Sequence, residues 1–434
     1  MDRDRPKSAN TAGSTVRARA PRFSPFYTVR RYKDFRLLWV GNVCTMGAQW
    51  LQVLTIGWLV LKLTEGNAVL TGTAVGIRTL PVLVIGPWAG VLADRVDRRK
   101  LVMGTQVLMA VAATCFAVLV GASDVDAPTV SGPLRWWHPF VYMVILGIGQ
   151  SIVQPVRQAM VANTVPRQDL PSALALNGLA PPITRILGPA LGGLLIATLG
   201  FQWNFFLEAA AYVTIVLFML PMQLPYREQV TGRRSAVLTS MGEGIRYVWH
   251  EKVLVQLLVM FLIPDFVFQP LVFVLPVFTS QILGRGAEAG GLLAAAIGAG
   301  AVTAALIPAT VGFILRKGTT TCVGLIGGCV CILLFAQSRW YLVSMVCLAG
   351  MGFCQNTFRV ANNTLVQTIV PDHLRGRVTS LYMLDTGLVP LATLLISLLI
   401  HLWNPAEAFT VIAGVSLSLA ILQALAFRRV RQLD

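Results

Sequence analysis

Charged residues are scarce in this chain. They make up only 12% of the 434 residues, whereas hydrophobic residues make up 55%. Soluble globular domains carry about 25% charged residues, so this composition excludes an ordinary water-soluble domain. Apolar runs of 18 or more residues are typical of membrane-spanning helices. Twelve such runs are predicted, at residues 36–62, 69–93, 101–121, 137–160, 172–198, 201–222, 253–282, 288–315, 319–338, 340–366, 378–400 and 405–427.

Residues that carry catalytic or metal chemistry are also few. The four His lie apart at the edges of predicted spans, and the seven Cys lie within apolar segments without metal-ligand spacing. The sequence contains neither a phosphate-binding Gly-Lys-Ser loop nor a Gly-x-Ser-x-Gly elbow. We therefore predict that the protein is not an enzyme and that it uses no cofactor and no metal.

Acidic residues are the scarcer charged type. The chain has 19 Asp and Glu against 35 Lys and Arg, which gives a formal net charge of +16. Such basicity can indicate nucleic-acid binding, but here the cations follow the topology of a membrane protein. With the N-terminus in the cytoplasm, only four fall in predicted extracellular turns: Lys62, Arg135, Arg285 and Arg339. The positive-inside rule predicts a multi-pass plasma-membrane protein with both termini cytoplasmic and no nucleic-acid partner.

A repeated pattern divides the chain into two halves. The segment LGIGQS at 146–151 recurs as MGFCQN at 351–356, and NTVPRQDL at 163–170 recurs as QTIVPDHL at 367–374. Parallel repeats predict two six-helix halves with the substrate site between them. The predicted divisions are a basic cytoplasmic tail (1–35), an N-terminal half (36–222), a cytoplasmic linker with an amphipathic helix (223–251), a C-terminal half (252–427) and a basic cytoplasmic tail (428–434).

Two motifs resemble the major facilitator superfamily of transporters. GVLADRVDRRK resembles the loop between helices 2 and 3 of that superfamily, with Asp97 where Gly is usual, and RILGPALGG is similar to its antiporter motif on helix 5. YKDFRLLWVGN and LRGRVTSLY resemble the branch that contains the enterobactin exporter and macrolide-efflux proteins. The resemblance implies an all-α membrane protein with twelve transmembrane helices in two pseudo-symmetric six-helix halves.

The resemblance also implies a role for the charged hairpin after the second span. In the superfamily, the Asp that matches Asp94 meets the start of helix 11, here near 375–380, when the cytoplasmic gate is shut. A carboxylate is stabilised at a helix N-terminus, and Arg98 would hold it there. The alternative is a topology signal only. The predicted cytoplasmic gate latch comprises Gly90, Asp94, Arg95, Arg98 and Arg99.

Seven charged residues fall inside predicted spans: Arg78, Arg157, Arg185, Glu208, Asp265, Arg359 and Asp385. Each costs about 2.5–3.5 kcal/mol at a helix centre on insertion scales, so we expect them to face water or one another. Arg157 and Arg359 could instead snorkel to the nearby cytoplasmic surface, and Glu208 is expected to serve packing or to snorkel. The deepest four are predicted to act in proton coupling, with Asp265 as the principal residue and Asp385 as its reserve: Arg78, Arg185, Asp265 and Asp385.

Polar residues form stripes at helical spacing on spans 1, 4, 7 and 10, the helices that surround the central pathway of the superfamily. Interhelical hydrogen bonding is the alternative for any single Gln. The predicted substrate cavity comprises Asn42, Gln49, Gln52, Gln150, Gln154, Arg157, Gln269, Gln355, Arg359 and Asn362. The predicted packing surface of helix 5 against helix 8 comprises Gly188, Pro189, Gly192 and Gly193.

These features predict a monomeric secondary transporter whose partners are a small-molecule substrate, protons and membrane lipids. The favoured function is proton-coupled export of amphipathic, drug- or siderophore-like small molecules by alternating access, in which the substrate displaces a proton. The alternative is an uncoupled facilitator or a lysolipid- or lipid-type flippase of the same fold. Met143 stands where helix 4 of the family often carries an Arg linked to proton coupling, which counts against the coupled mechanism.

Overall fold

The described part of the chain is a bundle of long helices. The computed structural model describes residues 27–82, 84–85, 96–125, 130–223, 246–311, 316–371, 378 and 386–432. The predicted amphipathic helix of the linker lies mostly outside these ranges, as do most of the N-terminal tail and the residues Gly90, Asp94, Arg95 and Asp385.

Twelve apolar helices follow one another along the described residues. The first six are α1 (Lys33–Leu63), α2 (Ala68–Val82), α3 (Arg98–Gly121), α4 (His138–Val161), α5 (Leu170–Leu199) and α6 (Phe201–Met219). The second six are α7 (Lys252–Gln281), α8 (Ala287–Val311), α9 (Lys317–Gln337), α10 (Tyr341–Ile369), α11 (Val389–Leu402) and α12 (Pro405–Ala426). Ten are long enough to cross a membrane, and the described parts of α2 and α11 are shorter. The predicted fold class is confirmed.

Helix α12 turns large aliphatic side chains outward and small residues inward. On α12, Val415, Leu419 and Leu422 are exposed, whereas Ala413 and Ala420 are buried. A soluble helix would show the opposite arrangement, because water would expel its large apolar side chains. In lipid, small residues allow close contact between helices, and large residues are solvated by acyl chains.

One turn of α7 is widened. Over Pro264–Phe268 the helix adopts a π turn, and the N–H of Gln269 donates to the carbonyl of Pro264. Pro270 has no N–H to donate to the carbonyl of Phe266, which removes an ordinary α-helical bond at the same place. Such π turns are rare in proteins, and those that occur are often located at functional sites. This turn places Asp265 in the interior of the bundle.

The two halves, α1–α6 and α7–α12, meet along α5 with α8, α2 with α11, and α1 with α7. The turn between α1 and α2 takes part in this contact. Gly66 has a φ of +90°, which favours glycine, and its carbonyl accepts a hydrogen bond of 3.1 Å from Gln281 Nε2 of the other half. A Cβ on Gly72 would lie 2.0 Å from Ser397 Oγ, so α2 and α11 are in close contact near the same end. That end is the predicted extracellular end.

Candidate functional site

A small polar cavity lies between α7 and α10. The π turn of α7 presents Asp265, and Gln269 follows one turn later; Gln355 and Arg359 stand one turn apart on α10. The cavity has a volume of about 60 Å³ and is completed by Phe261, Pro264 and Phe358. Arg359 is exposed, whereas Asp265 is only 8% exposed. This volume admits water but not a drug-sized molecule, which needs about 300 Å³ or more.

Arg185 of α5 joins this cavity to the N-terminal half. Its Nη1 donates to Gln355 Oε1 over 3.1 Å, and its guanidinium carbon lies 5.0 Å from the centre of the Trp50 ring. Its Nε and Nη2 atoms are buried and have no hydrogen-bond partner in the part of the chain that the structure describes. We call Asp265, Gln355, Arg359 and Arg185 the interface site, since they bring both halves to one place.

A second polar network lies within the N-terminal half. A 3₁₀ turn in α2, Ile77–Thr79, carries Arg78, which donates to Gln52 Oε1 over 3.2 Å and to Gln49 Oε1 over 3.4 Å. Arg157 is 3% exposed and donates to Thr45 Oγ1 over 2.5 Å. It therefore does not snorkel to the surface; its other described acceptor is Gln154, at 2.9 Å.

Glu208, for which the sequence left packing and snorkelling open, belongs to a hydrogen-bonded network within the N-terminal half. It is fully buried, and both of its carboxyl oxygens accept hydrogen bonds, from Tyr142 over 2.8 Å and from Tyr212 over 2.7 Å. Tyr142 stacks on Phe116 with ring centres 4.4 Å apart. Snorkelling is therefore wrong for Glu208, and packing is correct. The spacing of Glu208 and Tyr212 on one helix face was visible in the sequence, but the partner on α4 was not.

Three predicted cavity residues have other surroundings. Asn362 is fully buried and donates to the carbonyl of Leu257 over 3.2 Å, which ties α10 to α7. Asn42 and Gln150 are buried at 5% and 8% exposure, and neither lines the cavity described above. Asn362 was predicted to line the substrate cavity, with an interhelical hydrogen bond as the alternative, and the contact in the structure is an interhelical hydrogen bond.

The described part of the predicted gate latch shows two contacts. Arg99 donates to the backbone carbonyls of Met222 (2.8 Å) and Leu220, which ties the start of α3 to the end of α6. Asp97 accepts hydrogen bonds from the N–H groups of Arg99 and Lys100, at 2.9 and 3.2 Å, and so caps α3. The acid that replaces the usual Gly therefore has a local structural role. Arg98 is the first residue of α3, and its predicted partner Asp94 lies outside the described residues.

The glycines of α5 serve two neighbours. A Cβ on Gly193 would lie 2.5 Å from the carbonyl oxygen of Ala287, and one on Gly291 would lie 2.4 Å from that of Pro189, so these residues seal α5 against α8. Gly188 and Gly192 instead face α1, where a Cβ on Gly192 would lie 3.2 Å from Leu51 Cγ. Gly193, and not Gly192, makes the close contact with the other half.

Solved structures share this architecture. A peptide transporter of the POT family in complex with a thioalcohol-conjugated peptide has a TM-score of 0.71 at 9% identity and covers 92% of this chain and 96% of its own. A bacterial homologue of the human lysosomal transporter Spinster, in an inward-facing and unoccupied conformation, has a TM-score of 0.65 at 12% identity with the same coverage. At these identities the likeness shows the fold alone, which is that of major facilitator transporters.

Comparison of the sequence with family models assigns the chain to a family. Residues 21–430 match the family described as transmembrane secretion effector. The chain therefore belongs to that family of the major facilitator superfamily, a family of multi-pass membrane transporters and not of enzymes.

Characterised relatives span most of the chain. The staphyloferrin A transporter of Staphylococcus aureus is 23% identical over 88% of this chain and 91% of its own. The multidrug efflux pump Tap of Mycolicibacterium fortuitum is 28% identical over 75% of this chain and 79% of its own. The enterobactin exporter EntS of Shigella flexneri is 26% identical over 68% of this chain and 67% of its own. The predicted resemblance to the enterobactin-exporter branch is confirmed.

Proposed function

We propose that this protein exports a small molecule across the bacterial plasma membrane by alternating access, with Asp265 coupling transport to protons. The relatives named as siderophore and drug transporters support a small-molecule substrate. The excess of cations in one set of loops supports cytoplasmic termini. With that orientation, the contacts at Gly66, Gly72 and Gly193 close the extracellular end.

The observation that carries the proposal is the interface site. Asp265 and Arg359 belong to one half, Arg185 belongs to the other, and Gln355 joins them. Charges cost several kcal/mol in a lipid environment and are retained where they perform a function. A carboxyl group beside a cavity with room for water can exchange a proton with it. Movement of one half against the other would change the access of that carboxyl group to each side of the membrane.

Transport in proteoliposomes tests the proposal. The purified protein is reconstituted, a pH gradient is imposed, and movement of ethidium, erythromycin and naphthalene-2-sulfonate is followed with and without nigericin, which collapses the gradient. We expect the wild-type protein to lose gradient-driven transport when nigericin is added, and the Asp265→Asn variant to lack it from the start. Glu407→Gln is the matched control, because Glu407 is an exposed acid at the start of α12.

The outcomes separate the functions. Wild-type transport that is indifferent to nigericin would make the protein a facilitator. Gradient-driven transport by the Asp265→Asn variant at the wild-type rate would assign coupling to another residue, of which Asp385 is the next to test.

A further inference from the structure

Arginine is the commonest charged residue within the described spanning helices, away from their ends. Four arginines from four helices lie there: Arg78, Arg157, Arg185 and Arg359. The first three donate hydrogen bonds to neutral side chains, namely Gln49, Gln52, Thr45, Gln154 and Gln355. A neutral acceptor satisfies the geometry of a guanidinium group but does not cancel its charge. These hydrogen bonds therefore do not by themselves balance the charge of Arg185.

The described carboxylates divide between the two networks: Glu208 interacts electrostatically with Arg78 in the N-terminal half, and Asp265 lies at the interface site. Glu208 is enclosed by the hydroxyl groups of Tyr142 and Tyr212 and does not line the cavity. Asp265 does line it, beside Arg359. One carboxylate therefore faces a cavity that Arg359 lines and Arg185 approaches through Gln355.

Arg185 and Arg359 form a pair of like charges across the two halves. Arg185 donates to Gln355 over 3.1 Å, and Arg359 stands one turn from Gln355 on α10, so the two guanidinium groups approach the same cavity from different halves. Arg185 keeps two buried nitrogen atoms without a described hydrogen-bond partner, and its guanidinium group lies over the Trp50 ring. A guanidinium group with free, fixed donors is suited to carboxylate, sulfonate or phosphate oxygens.

We infer that the transported substrate is an organic anion and that its negative group binds between Arg185 and Arg359. This inference rests on the proposed export function but not on its proton step. An anion there would remove the repulsion between the halves and would be held by both of them at once. Trp50 lies beside Arg185 and Phe358 lines the cavity, so the anion is expected to carry an apolar or aromatic body, which enters once movement of the halves enlarges the cavity of about 60 Å³.

The charge of the substrate also affects the energetics of export. The inside-negative membrane potential favours the exit of an anion, so exchange for a proton is not required to move it outward. Ionised Asp265 competes with the anion for Arg359, whereas neutral Asp265 does not.

The sign of the cavity potential is measurable without knowing the substrate. In a variant whose seven native cysteines are replaced, Gln269→Cys reports on the cavity, and Trp340→Cys reports on an exposed site at a helix start. We measure the rates of modification by anionic sulfonatoethyl and cationic trimethylammonioethyl methanethiosulfonate. Relative to Trp340→Cys, the anionic reagent should be favoured at position 269 by about tenfold, since a cleft of one sign enriches the opposite ion by 10–10³.

Binding to the purified protein tests the substrate class. The probes are naphthalene-2-sulfonate, the neutral naphthalene-2-sulfonamide and the cationic trimethyl(2-naphthyl)ammonium, which share one aromatic body. The sulfonate should bind at least about tenfold more tightly than the other two. Arg185→Gln and Arg359→Gln should each remove that preference without changing sulfonamide binding, and Asp265→Asn should strengthen sulfonate binding. Arg135→Gln, an exposed arginine outside the bundle centre, is the matched control.

Two results overturn the inference: a reagent ratio at position 269 that is neutral or favours the cation, or equal binding of the three probes. Neither result touches the export function, because transport of ethidium, erythromycin and naphthalene-2-sulfonate in proteoliposomes is scored separately, and movement of any one of them supports export. Loss of all transport with retained sulfonate preference would overturn the export function and leave the anion site.

Discussion

The interior of the N-terminal half and the interface between the halves each contain a buried acidic residue, but the surroundings of the two residues differ. In the interior, the carboxyl group of Glu208 is fully buried and receives two tyrosine hydroxyl groups. At the interface, Asp265 lies in a widened helical turn beside a cavity of about 60 Å³. Both are acids within a membrane-spanning bundle, yet one has a closed set of partners and the other has space beside it.

The difference separates a structural from a functional role for a buried acid. A buried polar group with all its hydrogen bonds made contributes to stability and has no reason to change its state. A buried acid with room for water and a mobile neighbour can change protonation or ligand. Substitutions at the interface should therefore change transport more than stability, and substitutions in the interior should do the reverse.

Asp265→Asn should have the largest effect on transport. Asparagine keeps the size and one oxygen but cannot carry a proton, so gradient-driven movement should fall to the rate of protein-free liposomes. Binding of the naphthalene sulfonate should persist and become stronger, since asparagine carries no negative charge that competes with the sulfonate. Transport is measured in proteoliposomes and binding by fluorescence. If the Asp265→Asn variant still couples export to the gradient, Asp265 is not the coupling residue, and the proposed difference in role between Asp265 and Glu208 is wrong.

Gly193→Leu should open the interface itself. Its Cβ would lie 2.5 Å from the carbonyl oxygen of Ala287, so α5 and α8 must separate. Overpacking costs about 1–3 kcal/mol, and we expect substrate to leak through the predicted extracellular end. Gly192→Leu is the control, since its contacts are with side chains of Leu51 and Leu54 in the same half. Equal leak from both variants would mean that the seal is not made at Gly193.

Asp94→Asn tests the predicted latch at the other end of the interface. Loss of the carboxylate should raise the reactivity of cysteines introduced on α4 and α10 towards cytoplasmic reagents and should lower transport severalfold, with the amount of folded protein unchanged. Asp97→Asn is the neighbouring control, because Asp97 caps α3 through the N–H groups of Arg99 and Lys100. Unchanged reactivity in the Asp94→Asn variant would leave the hairpin as a topology signal.

Glu208→Gln should change stability and leave transport nearly intact. A glutamine amide nitrogen cannot accept the hydrogen bond that one tyrosine hydroxyl now donates, and an unsatisfied buried group costs about 1–3 kcal/mol. The thermal unfolding midpoint in detergent should fall, and transport per folded molecule should stay close to the wild-type value. Tyr142→Phe should give a similar loss. A Glu208→Gln variant that is stable but inactive would move Glu208 into the transport mechanism.

The sequence by itself determined the helices and their grouping. These predictions use local or periodic features of the sequence, namely twelve apolar runs, the repeat of LGIGQS and the position of the cations. Each feature can be recognised without knowing which helices pack against each other. A span must be long and apolar to lie in lipid, so its existence is readable from composition alone. The same reasoning singled out Asp265, Arg185 and Arg359 as expensive charges, although it could not tell which of them meet.

Only the tertiary structure decided the partners. Helix rotation and packing between segments far apart in sequence bring Arg185 to Gln355 and Tyr142 to Glu208. They also assign Gly193 to α8 and Gly192 to α1, although the two residues are adjacent. Hydropathy says that a face is buried or lipid-exposed but not which neighbour covers it, because every apolar neighbour satisfies that pattern equally. Directional contacts, such as hydrogen bonds and the close approach of backbones, exist only once the helices are packed.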